Sequence, residues 1–476
     1  MWSLLSKVKR SMRKKLLIII SFFFIGSSFG QQGFYEYSFG TLGSDKSKAI
    51  LQYRDSTIYL IGYAYNVESN NNQITLHKLD KKGNLLWSRY YESLFNQYAF
   101  SINPTLDGNL IICGEAGTPL NNLDIIVLKL DTSGTVIWQK IFGDYLNESA
   151  AYIEQTIDSG YILCGFKNDV YHSNDIYIAK LNADGEVIWD EMIGGADNDV
   201  GSMILQLPKG GFILTSDTRR AGDIDYDVHI AELDENGKII WDRIYGDDFQ
   251  NGCQGILKTM DGCYLSYGET EIYTYSPFDF FIEKIDSVGN SLWKKVFGGT
   301  GFDAVFSMVE TKEGDFVGTG YSSLEGEPHD LVVFKTDRQG ELIWLNRYGG
   351  AGIDIGSDIK KGFGDVFIVT GFISNETEDN FILLIHDSLM VGEKLTTQES
   401  SFSIFPNPAL EYINILSDII PFNWEIYSIN GKLIEAGIAE SNLAHISLEK
   451  VQSNGVYIIK VKNHNESIIK KVIKSK

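Results

Sequence analysis

Six of the eight tryptophans stand at positions 87, 138, 189, 241, 293 and 344, one every 51 or 52 residues. Each lies in the same frame: LLWSRYY, VIWQKIFG, VIWDEMIGG, IIWDRIYG, SLWKKVFGG and LIWLNRYGG. A period of this length means one supersecondary unit copied in series. A unit too small to bury its own apolar face must stack on its neighbours.

One copy, residues 142–193, carries four strand signals: 150–157 (AAYIEQTI), 161–166 (YILCGF), 175–181 (DIYIAKL) and 186–193 (EVIWDEMI). Each is rich in β-branched or aromatic residues and is bounded by turn residues. The turn before the Trp strand recurs as Asp80-x-x-Gly83, Asp131-x-x-Gly134, Asp234-x-x-Gly237, Asp286-x-x-Gly289 and Asp337-x-x-Gly340. Asp bonds the amide two residues on and Gly supplies positive φ, so the spacing is hairpin chemistry. No stretch shows a sustained apolar period of 3.6. With 47 Gly and only 8 Pro, the chain suits short strands joined by glycine turns.

Four antiparallel strands per copy predict an all-β, seven-bladed β-propeller over residues 31–393, with units near 40–91, 92–142, 143–193, 194–245, 246–297, 298–348 and 349–393. The last unit lacks its Trp strand. Residues 32–40 (QGFYEYSFG) align with that strand, Tyr35 in the Trp place, and are expected to close the seventh blade. A split blade leaves no loose edge, unlike a capped linear solenoid. The repeats are similar to WD-repeat-like and PQQ-like propellers, a resemblance that implies a fold and leaves the function open.

The two ends differ from the middle. Residues 1–30 hold six Lys/Arg and no acid, then an apolar run, Leu16–Gly26, and small residues at 28 and 30. This reads as a secretory signal peptide cleaved after Gly30, and Met12 is a candidate initiator. Residues 394–401 (KLTTQESS) read as a linker. From 402 to 476 short strands lead to a basic tail; with +6 in residues 1–30 and +1 in 402–476, the whole chain's −22 leaves −29 on residues 31–401. Such acidity excludes a nucleic-acid binder.

Residues 402–476 carry Ile404-Phe405-Pro406-Asn407-Pro408, then 425–432 (EIYSINGK) with Gly431, then 455–461 (GVYIIKV) with Gly455 and Tyr457, then a closing KVIK. In this order they resemble the type A C-terminal sorting domain of type IX secretion substrates in the Bacteroidetes. Ser428 stands where that pattern has Asp. The resemblance implies a small β-sandwich engaged by an outer-membrane translocon, and cargo delivered to the cell surface or released.

Chemistry is harder to find. An acid or amide follows the end of each Trp strand: Asp45, Gln97, Glu148, Asp199, Asn251, Asp303 and Asp354. Oxygen donors around one channel mouth suit Ca²⁺, with Asp45, Glu148, Asp199, Asp303 and Asp354 as the metal candidates. The same residues equally serve the repeat by bonding their own loops, which is the reading carried forward. A second series opens the third strand: Gln73, Asp124, Asp175, Asp227, Asp279, Asp330 and Asn380. Lys78, Lys129, Lys180, Lys284 and Lys335 follow it, with Glu232 in the fourth copy, and read as loop anchors and a solvated stripe. The Trp series reads as packing between blades rather than carbohydrate stacking. The four Cys read as buried thiols, the His share no register, and no catalytic or cofactor motif stands in a fitting context.

The expectation is an exported, monomeric, cofactor-free binding or adhesion module without catalytic activity. Its ligand, a surface glycan or protein, would meet the loops between second and third strands. The rival is an extracellular polysaccharide- or peptide-acting hydrolase or lyase using channel-mouth carboxylates.

Overall fold

The computed structural model describes residues 34–39 and 44–386, apart from short stretches at 171–172, 196, 220–224, 247–248, 272–276, 299–300, 324–326, 350–351, 365 and 375–377. Between 402 and 474 it describes the strands and a few flanking residues. The signal segment 1–30 and the linker 394–401 lie outside the described residues. The chain divides into two compact units, 1–394 and 395–476.

Among the described residues, the first unit holds seven four-stranded antiparallel sheets: sheet 1 (45–91), sheet 2 (97–142), sheet 3 (148–193), sheet 4 (200–245), sheet 5 (251–297), sheet 6 (303–348) and sheet 7. Sheet 7 takes Asp354–Lys361, Val366–Ser374 and Glu378–His386 from the end of the unit and Phe34–Phe39 from its beginning. Phe34 pairs with Ile385 and Phe39 with Asn380. Tyr35 faces Leu384, the register place where Trp344 faces Lys335 in sheet 6.

The ring is closed by its cores. One cluster of buried residues lies between each pair of successive sheets, and another, with Ile50, Leu60, Ile368 and Ile382, joins sheet 7 to sheet 1. The period-2 geometry of a strand explains how one sheet serves two cores. In Leu110–Gly117, Leu110 and Ile112 face sheet 1, whereas Ile111 and Cys113 face sheet 3. Such strands must be apolar on both faces, so the sequence shows runs such as YILCGF in place of alternation.

The second unit pairs Phe402–Phe405, Tyr412–Ser417 and Leu443–Ser447 in one sheet, and Leu433–Ala439, Phe422–Ser428, Gly455–Lys462 and Ser467–Lys474 in the other. Ile413, Ile415, Phe422, Ile426, Ile446, Ile459 and Val461, drawn from both sheets, form one buried core.

Candidate functional site

The seven acids and amides that begin the first strands are all buried: Asp45, Gln97, Glu148, Asp199, Asn251, Asp303 and Asp354. Where their bonds are seen, they run to the adjoining loop and to the second strand of the same sheet. Asp199 accepts from the Gly195 amide (3.1 Å) and the Arg219 amide (3.2 Å), and Asp354 from the Ser374 amide (3.2 Å). Asn251 donates to the Phe249 carbonyl (2.7 Å) and accepts from the Thr270 hydroxyl (2.7 Å). Glu148 accepts from the Asp144 amide (3.2 Å) and pairs with Lys167 at 3.2 Å. Burial pushes the Glu148 carboxyl up to about 7 against the pull of Lys167. No group of three or more His, Cys, Asp or Glu among the described residues is arranged to hold a metal ion.

In sheets 2, 3 and 6 the second acid series meets the first around one glycine. A Cβ on Gly194 would lie 2.2 Å from Asp175 Oδ1 and 2.9 Å from Asp199 Oδ2. Gly143 is crowded likewise by Asp124 and Glu148, and Gly349 by Asp330 and Asp354. The glycine after the Trp strand makes room for carboxylates there, as Gly246 and Gly298 do for Asp227 and Asp279 in sheets 4 and 5, whereas sheet 1 has Glu92 at that place. In sheet 7 the series continues at Asp379 rather than Asn380: Asp379 faces Ile373 as Asp330 faces Ser322. Asn380 takes the next, buried place and accepts from the Ser47 hydroxyl at 2.6 Å.

The lysine series differs from a solvated stripe. Lys129, Lys180 and Lys284 are buried, and each reaches an Asp in the turn between first and second strands: Asp107 (2.7 Å), Asp158 (2.8 Å) and Asp261 (2.5 Å). The stems lie along apolar neighbours while the ammonium stays at the turn. In sheet 4, Glu232 instead accepts from the Trp241 indole at 2.7 Å. The tryptophans fasten one blade to the next. A Cβ on Gly185, in the hairpin turn of sheet 3 at φ 80°, would meet the Trp138 ring at 2.8 Å. Gly134, Gly237, Gly289 and Gly340 meet Trp87, Trp189, Trp241 and Trp293 in the same way.

The axis of the ring is where repetition stops. In every first strand the pairing slips at the same point, leaving over Lys48, Phe100, Ala151, Ser202, Gln254, Phe306 and Ser357. A bulged residue turns out of the ladder. All seven are half-buried, each following a buried residue, on a strand whose other edge pairs with no strand among the described residues, which places them on the axis side of each sheet. The second strand has glycine beside this bulge. A Cβ on Gly62, Gly114 or Gly320 would lie 1.8, 1.9 and 1.9 Å from the carbonyl oxygens of Lys46, Tyr98 and Ala304. Gly165, Gly268 and Gly371 repeat the contact, and Ser216 replaces glycine in sheet 4. The glycine recurs in six of the seven repeats, a signal legible in the sequence, whereas the bulge residues share no chemistry.

The residue after each of these positions is again unrepeated: Tyr63, Glu115, Phe166, Asp217, Glu269, Tyr321 and Phe372. Asp217 reaches sheet 5, accepting from the Cys253 amide at 2.6 Å, and Gln254 donates to Glu269 at 3.2 Å. Burial, then the neighbouring charge of Glu269, raises Asp217 to about 7. One layer deeper, Tyr152, Tyr267 and Asp358 come from sheets 3, 5 and 7, none of which are neighbours. Burial raises both phenols, and the Asp358 charge adds to each. Asp358 accepts from the Ile50 amide (3.0 Å) and the Ser307 hydroxyl (2.6 Å). Gly255 has no side chain where the Tyr267 hydroxyl lies, 2.5 Å from a would-be Cβ.

Sheet 4 also contains a Ser–His–Asp chain: Ser216 Oγ lies 2.9 Å from His229 Nδ1, and His229 Nε2 lies 3.5 Å from Asp242. Ser216 is fully buried between strands, out of reach of an acyl group, so the chain serves as cross-strand packing. Cys113, Cys164 and Cys253 are buried free thiols, and Cys263 is a half-buried one. Cys253 pairs with Gly268 across its hairpin, which keeps it apart from Cys263 in register. Of the sorting motif, Gly455 and Tyr457 begin the strand Gly455–Lys462, where Tyr457 faces Ser428 and Gly455 faces Lys474. Pro406, Asn407, Pro408 and Gly431 lie outside the described residues.

Residues 403–475 match the family model of the secretion system C-terminal sorting domain. None of the curated proteins matches the chain in sequence. Among solved structures, puromycin hydrolase is similar with a TM-score of 0.50 at 10% identity, over 79% of this chain and 58% of that one. The chain thus spans little more than half of that enzyme. The β-propeller domain of the Trilobed protease from Pyrococcus furiosus is similar with a TM-score of 0.39 at 15% identity, over 75% and 94% of the two chains. PorZ, a surface component of the type IX secretion system of Porphyromonas gingivalis, is similar at 0.37 and 9% identity, over 88% and 68%. At these identities the likeness concerns the fold alone. The C-terminal unit is a sorting domain of type IX secretion, and the chain is cargo exported to the cell surface or the extracellular space.

Proposed function

We propose that this exported chain is a binding or adhesion module without catalytic activity, acting as a monomer. Residues 402–476 engage the export translocon, and the propeller presents a ligand surface for a glycan or a protein. One observation supports this reading above the others. The repeated carboxylates, lysines and tryptophans have structural partners within or between blades, so chemistry left over for a ligand lies in what is not repeated. Those unrepeated parts are the axis ring and the loops between second and third strands, which lie at one end of the ring. The buried Ser216 speaks against a serine hydrolase built on the Ser–His–Asp chain. The acid series bound to its own loops favours turn anchoring over Ca²⁺. The test is a binding screen of the purified full chain against glycan and surface-protein arrays, beside a hydrolysis screen on polysaccharides and peptides. Saturable binding without turnover is expected. Turnover abolished by replacing Asp217 and Glu269 would transfer the case to the hydrolase reading.

A further inference from the structure

At the end of the ring where second strands turn into third strands and each sheet passes to the next, five large apolar side chains stand in water. They are Val67, Leu94, Leu120, Tyr145 and Val170, and the least exposed of them is Val170 at 65%. All five lie in loops of sheets 1, 2 and 3. Among the described loop residues on the rest of that end, Phe302 and Ile353 reach only 46% and 44%. The apolar sector is therefore confined to three consecutive blades.

The loops that carry it form one hydrogen-bonded band. The Asn71 side chain donates to the Ser93 carbonyl (2.7 Å), and the Asn72 amide donates to Asn96 Oδ1 (2.8 Å). The Asn96 carbonyl accepts from the Gly117 amide (2.7 Å). Asn122 donates to the carbonyls of Asp144 (2.8 Å) and Leu146 (2.6 Å), and the Asn147 carbonyl accepts from the Asn168 amide (2.8 Å). These bonds use asparagines and backbone, and they would form with any residue at 94, 120 or 145. Scattered apolar residues on a surface are ordinary; a contiguous set on an ordered frame marks an interaction site. Such a frame loses little entropy when a partner settles on it.

The same bonds separate a protein ligand from a glycan. A sugar is read through its hydroxyls, and the amides that could meet them are engaged with the band's own backbone. What points outward is apolar, as at the dry centre of a protein interface. The surrounding charge is acidic. Glu68 and Glu92 are exposed and have no ion pair among the described residues, whereas Lys167 holds Asp144 at 2.9 Å. A partner that complements this rim brings cations to it.

We propose that the band is the ligand site of the module and that its ligand is a protein, seating an apolar surface on Leu94, Leu120 and Tyr145 with basic side chains toward Glu68 and Glu92. The site rests on the binding-module reading and names its ligand class.

The experiment is a fluorescence titration of the full chain with a synthetic amphipathic peptide of Leu and Lys, beside a form in which Ser replaces every Leu. The Leu/Lys peptide is expected to bind saturably and the Ser form to fail. Leu94→Asn with Leu120→Asn should weaken binding about tenfold or more, with an unchanged melting curve because both side chains are exposed. Tyr145→Ser should weaken it by itself, so the outcome does not depend on the leucine pair folding. Glu68→Gln with Glu92→Gln should cost a few-fold. Ile157→Asn, 83% exposed at the opposite end of the ring, should leave the affinity as it was. No saturable binding, an equal response to the Ser form, a leucine or glutamate pair that binds like the parent, or an equal loss with Ile157→Asn overturns the proposal. If array ligands still bind the parent and the leucine variant alike, the module reading stands and only this site falls; if nothing on the arrays binds either, both fall.

Discussion

The rim and the axis of this ring are built from the same repeat and obey opposite rules. At the rim, Trp138 packs on Gly185 and Trp293 on Gly340, the same residue pair at successive joints. At the axis the equivalent positions read Lys, Phe, Ala, Ser, Gln, Phe and Ser. A joint between two blades sees the same surroundings at each copy, so one solution can serve again and again. The seven axial side chains share one space, and seven copies of a large or charged residue would collide or repel there. Repetition therefore marks what holds the ring, and its loss marks what the ring encloses.

The largest effect that would sharpen this contrast is expected at a glycine. Gly320→Val puts side-chain atoms where the Ala304 carbonyl already lies, 1.9 Å from the Cβ position, and should cost roughly 3 kcal/mol or more in urea denaturation. A loss under about 1 kcal/mol would show that the backbone gives way there. Next, Trp189→Ala removes the ring resting on Gly237 and should cost about 2–3 kcal/mol, somewhat below a full core truncation because the ring is half-buried. If it proved neutral, the rim would not be what fastens the blades. Lys180→Met should cost about 1 kcal/mol, since its partner Asp158 is largely exposed and screened.

The remaining effect concerns pH. Asp217 and Glu154 both sit at about 7, raised from ordinary values of 3.8 and 4.5 by burial before any other cause. The folded state then holds more protons than the unfolded state between about pH 4 and 7. Their contribution is complete below pH 4 and is lost as pH rises through 7, so stability should decline over that range. Asp217→Asn should flatten the slope measured by thermal melts at stepped pH. A slope unchanged in the variant would place the titration elsewhere.

How much of this could be read from the chain follows the same line. The Trp spacing located each blade, and the mismatch between a Trp-less last unit and QGFYEYSFG anticipated the sheet shared by both ends. The turn aspartates behave as their spacing implies: Asp131 accepts from the amides of Ser133 (2.8 Å) and Thr135 (2.9 Å). The lysines depart from a solvated stripe because the Asp partner of each lies some twenty residues away in the chain, a distance that periodic charge alone does not reveal. Asn380 was misplaced by one residue because the last blade has no Trp strand to fix the count. The bulged residues themselves share no chemistry, so their only trace in the chain is the glycine beside them on the second strand.

Phe34 and Ile385, partners in the closing sheet, are separated by nearly the whole length of the propeller. A contact between such distant points is reached late, because the entropy of bringing them together is offset only once the intervening blades have condensed. For a protein made to leave the cell, this sets an order of events. While the segment near residue 385 is still absent or held extended, the strand Phe34–Phe39 lacks its partner in the seventh sheet. Closure, and any binding that depends on a complete ring, would then come together in a single late step.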